Sequence, residues 1–91
     1  MINAELEELK KHIPPDHPRF KAKDGYLEFC VEMDDDGGLW NHPYDLNKTD
    51  IEDCRNAAIA YWYEEMIKLA GTIEGQGCIE HINFWRNWRK S

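Results

Sequence analysis

"FKAKDGYLEFCVEM", residues 20–33, decides the fold. Asp24-Gly25 suits a two-residue hairpin turn, whose central residues need positive φ angles that Asp tolerates and Gly adopts freely. With the turn there, Lys23 faces Tyr26, Ala22 faces Leu27, Lys21 faces Glu28 and Phe20 faces Phe29. Partners agree in character, aromatic opposite aromatic and lysine opposite glutamate. Alternation then puts Phe20, Ala22, Leu27, Phe29, Val31 and Met33 on one face and Lys21, Lys23, Glu28 and Glu32 on the other. That pattern predicts a half-buried antiparallel ribbon over residues 19–33. By the same parity Cys30 falls between the two glutamates, which oppose a thiolate.

On the N-terminal side, Ile2, Leu6, Leu9 and Ile13 form one helical stripe opposite Glu5, Glu7, Glu8, Lys10 and Lys11, with Asn3 as N-cap. Pro14, Pro15 and Pro18 stop that helix, because proline lacks the amide donor and restricts its predecessor. On the C-terminal side, "DDDGG" (34–38) reads as a second turn, "LWN" (39–41) as a short third strand and "HPYDLNK" (42–48) as a loop. Thr49 with Glu52 has capping-box spacing, and Asp50, Glu52 and Asp53 suit the positive end of a helix dipole. A long helix is expected over 50–70, closed by Gly71. Its apolar residues make a belt rather than a stripe: Ile51, Cys54, Ala58, Trp62 and Leu69, widened by Ile59, Tyr63, Met66, Ile67 and Ala70. Such a helix is expected to be contacted on two sides, by the sheet and another helix or by a second subunit. "GTIEGQG" (71–77) reads as a flexible joint before a last helix at 78–89. The expected fold is α+β: a small antiparallel sheet of two to three strands packed against an N-terminal, a long central and a C-terminal helix, with 1–91 as a single compact domain.

Eighteen Asp and Glu against eleven Lys and Arg give a formal charge of −7. Direct nucleic-acid binding is disfavoured, since phosphate affinity rests on cationic side chains, and a basic protein surface is the better match. No apolar run nears the ~20 residues that span a bilayer, and "MINAELEELKKHI" is acidic and amphipathic rather than a leader, so no membrane partner and a cytoplasmic location are expected. Cys30, Cys54 and Cys78 are odd in number and lack CxxC spacing, which predicts reduced, packed thiols.

The closing stretch "CIEHINFWRNWRKS" (78–91) gathers aromatics and cations. At 100° per residue, His81, Ile82, Phe84, Trp85 and Trp88 share one side of the helix. Three roles compete: a core face with Arg86 and Arg89 complementing the dipole, a stacking platform for bases, and an exposed hot spot for a protein. The anionic chain disfavours the second, and the usual fate of an aromatic stripe favours the first.

Catalytic and metal signatures are sparse, so no enzyme activity and no cofactor are expected. Cys78 and His81 stand three apart at the predicted start of a helix, where dipole and imidazole would lower the thiol pKa, but no third orienting group accompanies them. Glu32, Asp34, Asp36 and Gly37 mimic the first half of an EF-hand loop, yet position 12 falls on Pro43 instead of glutamate. His12, His17, His42 and His81 lack HExxH or HxxxH spacing, and "GTIEGQG" lacks the lysine of a phosphate loop.

The strongest functional lead is charge. From Glu28 to Asp53 there are nine carboxylates against one lysine, Lys48, so the segment is more negative than the whole chain. The expected partner-binding residues are Asp34, Asp35, Asp36, Trp40, Tyr44, Asp45, Asp50, Glu52 and Asp53: carboxylates for a Lys/Arg-lined groove, with Trp40 and Tyr44 as anchors. In size, acidity and aromatic content the chain resembles many phage and mobile-element proteins that bind and block a host nucleic-acid-handling protein. That resemblance of composition implies an inhibitor mimicking nucleic-acid charge. The rival expectations are a homodimer or larger structural assembly closed by Tyr61, Trp62, Met66 and Leu69, and a metal- or thiol-dependent enzyme using Cys78, His81 or His42.

Overall fold

The computed structural model describes residues 4–23, 26–32 and 37–89. Its elements run α1 (Ala4–His12), β1 (Phe20–Lys23), β2 (Tyr26–Glu32), β3 (Leu39–Asn41), a 3-10 turn (Pro43–Asp45), α2 (Lys48–Lys68) and α3 (Ile73–Asn87). The fold is α+β, with a three-stranded antiparallel sheet in the order β1-β2-β3. Backbone contacts group the chain into two compact units, 1–54 and 55–91, with the division falling inside α2.

In the first unit, the hairpin register is the one that Asp24-Gly25 dictates: Phe20 pairs with Phe29, Lys21 with Glu28, Ala22 with Leu27 and Lys23 with Tyr26. The turn residues themselves, like Asn3, lie outside the described residues. Phe20, Leu27 and Phe29 are buried, and the Phe20 and Phe29 rings meet at 5.0 Å. Each such ring removes a large apolar area from water, and a tilted pair adds to that burial. Ala22 departs from the alternation and is exposed at the sheet's edge.

Cys30 departs in the other direction and is fully buried. Its parity with Glu28 and Glu32 does not leave it open to solvent, and Cys30, Cys54 and Cys78 are all free and buried, as expected of packed thiols; just beyond Cys30, β2 carries an irregularity before Glu32 where it pairs with β3. An extra residue there bends the strand and breaks strict parity. The thiol donates to the Glu32 carbonyl at 3.3 Å, and Gly38 lies directly over it. A Cβ at Gly38 would stand 2.9 Å from the Cys30 sulfur, and its φ of +88° is a left-handed value suited to glycine, so any side chain there is excluded twice.

α2 starts two residues before the expected 50, because Asn47 and not Thr49 is its cap. The Asn47 Oδ1 accepts from the Asp50 amide at 2.8 Å, satisfying a donor that the first turn leaves unpaired. Gly71, at φ +83°, follows the end of α2, as expected of a terminating glycine.

In the second unit, "GTIEGQG" is not a flexible joint. α3 begins at Ile73 rather than 78 and ends at Asn87 rather than 89, with Thr72 as N-cap, its hydroxyl accepting from the Gly75 amide at 3.1 Å. Gly75 is buried and held to glycine by space, since a Cβ would run into the Leu69 carbonyl oxygen. Glycine here permits close packing despite its unfavourable helix propensity. Gly75, Cys78, Ile82 and Trp85 follow one another at spacings of three, four and three, making the buried stripe of α3. Among the described residues, no helix is long and apolar enough to cross a membrane.

Candidate functional site

The acidic surface belongs to the first unit, and its described residues follow along β3, the 3-10 turn and the first two turns of α2. Asp34, Asp35 and Asp36 lie outside the described residues. Asp45 and Glu52 are exposed and Asp50 is half-buried, so these carboxylates meet solvent next in the chain to Lys48. The turn that presents Asp45 is built locally. His42 accepts at Nδ1 from the Tyr44 amide at 3.2 Å, and Pro43, buried, supplies a φ already suited to a helical turn. The expectation of an irregular loop at 42–48 therefore gives way to a short helical turn leading into α2.

Trp40 and Tyr44 are half-buried. The Trp40 indole N–H donates to the Gly37 carbonyl at 2.8 Å, which fixes the ring's orientation. The Lys21 ammonium stands 4.0 Å from its ring centre, a cation–π contact with an aromatic face. Tyr44 keeps its ring beside His42, 5.7 Å between centres. Both rings are thus oriented by contacts of their own while retaining accessible surface.

Asp53 is different, because it has a partner within the chain. The Arg19 guanidinium makes an ion pair with it, donates through Nε to the Cys30 carbonyl at 3.0 Å, and lies 4.6 Å above the Phe29 ring centre. Arg19 is the residue that sequence reasoning missed. It joins the start of the hairpin, the middle strand and the second turn of α2, and no local pattern links positions 34 apart. Its own amide donates to His17 Nδ1 at 3.1 Å. Burial, then the charge of Arg19, holds the His17 imidazole below its ordinary pKa, in keeping with an Nδ1 that must stay unprotonated to accept.

The two C-terminal tryptophans are committed to the interior, while His81 and Phe84 are half-buried. Trp85 is 0% and Trp88 6% exposed, and their rings meet edge to face at 5.1 Å. The Trp88 carbonyl accepts from Arg55 at 2.7 Å, and His81 stacks on Trp62 at 4.0 Å. The His81 stack places its ring against α2's 55–68 stretch. Cys78 is buried, and burial followed by the Glu65 charge raises its pKa, opposite to the lowering that activation requires. With α3 starting at Ile73, Cys78 lies past the first turn, so the helix dipole does little to oppose that rise.

Among the described residues, no three His, Cys, Asp or Glu side chains converge as ligands for a metal. No protein-family model matches the chain, and no curated protein or solved structure matches it either.

Proposed function

We propose that the protein is a non-enzymatic binding module that docks the acidic surface of its first unit into a Lys/Arg-lined groove of a nucleic-acid-handling protein and thereby blocks it. One observation carries this reading. Asp45 and Glu52 are exposed and Asp50 half-exposed, while Trp40 and Tyr44 beside them in the chain are oriented and still accessible. Oriented aromatics amid carboxylates supply both steering charge and desolvated anchors for a basic groove. The burial of Trp85 and Trp88 removes the competing aromatic face. Pull-down from lysate at low and high salt, with Asp45→Asn/Asp50→Asn/Glu52→Gln alongside, tests the reading. Capture should fade at high salt, be lost in the neutralised variant and be reversed by added DNA. Capture that survives neutralisation counts against it.

A second reading, a self-associating accessory protein, is favoured by the outer side of α2. Asn56, Ala60, Tyr63 and Ile67 repeat at spacings of four, three and four, and all are exposed, Tyr63 at 50% and Ile67 at 61%. That is the spacing of a helix–helix seam. The residues expected from sequence to close a dimer, Tyr61, Trp62, Met66 and Leu69, are half-buried. Light scattering distinguishes the two: a strict monomer at micromolar concentration removes self-association.

A further inference from the structure

We propose that the outer edge of β3 takes an extended cationic segment of the partner as a fourth strand of the sheet, an inference that rests on the acidic surface being the docking surface. β3 is the outer strand on the side away from β1. The ladder fixes which of its backbone groups face out. The Cys30 amide donates to the Arg19 carbonyl, so Cys30 addresses β1 and, by alternation, Phe29 addresses β3. Phe29 and its partner Asn41 are therefore a hydrogen-bonded pair, and Cys30 and Trp40 are not. Trp40 accordingly turns its N–H and C=O away from the sheet, and among the described residues nothing bonds them.

The three residues of β3 offer about 10 Å of edge, and the residue of an incoming antiparallel strand that stands opposite Trp40 exchanges both hydrogen bonds with it. Its two neighbours stand opposite Leu39 and Asn41, on the other face of the sheet. Leu39 is 52% exposed and pairs across the ladder with exposed Glu32. A long cationic side chain opposite Leu39 covers that leucine with its stem and brings its charge to the Glu32 carboxylate. The chain itself shows such a reach over two strands, for Lys21 of β1 crosses β2 to set its ammonium on the Trp40 ring.

Charge selects the occupant. Glu32, Asp45 and Glu52 are exposed and make no ion pair with any described residue, and β3 leads directly into the 3-10 turn that presents Asp45. On the Trp40 face a cation is already in place, because Lys21 covers the ring. The residue opposite Trp40 is therefore apolar, and the cations of the new strand lie on the Leu39 face. A second copy is the wrong partner. Two β3 edges pairing with each other bring together two stretches from Glu28 to Asp53, each with nine carboxylates against one lysine. The ligand is accordingly an extended segment in which lysine or arginine alternates with apolar residues.

The test uses the full chain and labelled heptapeptides that alternate valine with lysine or valine with glutamate. Anisotropy should show the lysine peptide binding at least about tenfold more tightly than the glutamate peptide. Two further lysine peptides carry the same charge, one methylated at the backbone nitrogens of its valines and one at those of its lysines. In the register above the valine amides face β3, so the first should bind about fivefold more weakly or worse and the second should match its parent. Hydrogen exchange at the Trp40 amide should slow when the parent peptide is added. Equal binding of the two methylated peptides, or unchanged Trp40 exchange, overturns strand addition and leaves the acidic surface as a docking surface that works by charge alone. Failure of the lysine peptide to bind also overturns it, and salt-sensitive capture from lysate then shows whether the docking surface itself fails. Protection of Trp40 that grows with protein concentration in the absence of peptide assigns the edge to a second copy and overturns the proposal.

Discussion

Two tryptophan-bearing stretches of this chain look alike in sequence and end in opposite environments. Trp40 belongs to a carboxylate-rich stretch of sequence and lies half-buried on a three-residue strand, its N–H held by a backbone carbonyl and one face under a lysine. Trp85, on a fifteen-residue helix, and Trp88, its C-cap, lie next in sequence to arginines and are buried and packed edge to face. The difference is one of periodicity. A helix repeats an apolar position every three or four residues and so builds a stripe that buries together, whereas an isolated ring between Gly38 and His42 has no such neighbours. Charge near an aromatic therefore says less about its role than the spacing of the apolar residues around it.

The comparison breaks first at Trp85. Trp85→Ala should destabilise the fold by about 3–5 kcal/mol, a large fraction of what a chain of this size possesses. Trp40→Ala should change stability by under about 1.5 kcal/mol, the scale of an exposed cation–π contact and one hydrogen bond, and should act on partner capture instead. Urea unfolding of the two variants measures the contrast, and equal losses remove it.

Arg19→Met sharpens the account of the first unit. It removes the ion pair to Asp53 and the hydrogen bond to the Cys30 carbonyl, and should cost about 2 kcal/mol after allowance for the partial exposure of both side chains. The same denaturation experiment reads it. Asp53→Asn should follow it in direction, while Glu52→Gln should leave stability within about 0.5 kcal/mol, separating a carboxylate with a structural partner from one that faces water.

Gly75→Ala reverses a usual sign in the second unit. Replacing glycine by alanine inside a helix ordinarily gains up to about 1 kcal/mol from propensity. Here the new methyl meets the Leu69 backbone, so a net loss of about 1–3 kcal/mol is expected, while Gly77→Ala, with open space around its Cβ, should keep the ordinary gain.

The smallest effect is on pH dependence. The His17 pKa is depressed in the folded chain, so the unfolded chain takes up the proton first as pH falls. Stability from this group is present above the ordinary imidazole value near 6.5 and declines as pH drops below it towards the folded value. His17→Gln should flatten the melting temperature across that window, and an unchanged slope contradicts the role given to the His17 acceptor.

What was legible in the sequence had local causes. The hairpin register follows from a two-residue turn and a face pattern, and Gly71 from its place after the last apolar residue of a helix. Where the reading failed, distant or close-range geometry decided. Asn47 and Thr49 both carry cap chemistry at suitable spacing, and only the path of the chain out of the 3-10 turn selects Asn47. Cys30 is covered because Gly38 lies over it, an approach that strand parity does not encode. The 71–77 stretch looked flexible because glycine marks both joints and tight packing, and nothing in the sequence says that Leu69 lies against Gly75. In the acidic surface, composition identified the carboxylates but could not single out Asp53, whose partner is 34 positions away.

Quenching of single tryptophan sets by acrylamide tests the division of labour most directly. A chain keeping Trp85 and Trp88, with Trp40→Phe and Trp62→Phe, is compared with one keeping Trp40 alone. The account predicts that the C-terminal pair is shielded and that Trp40 is quenched several-fold more readily. Equal quenching of the two sets, with both chains folded, contradicts it.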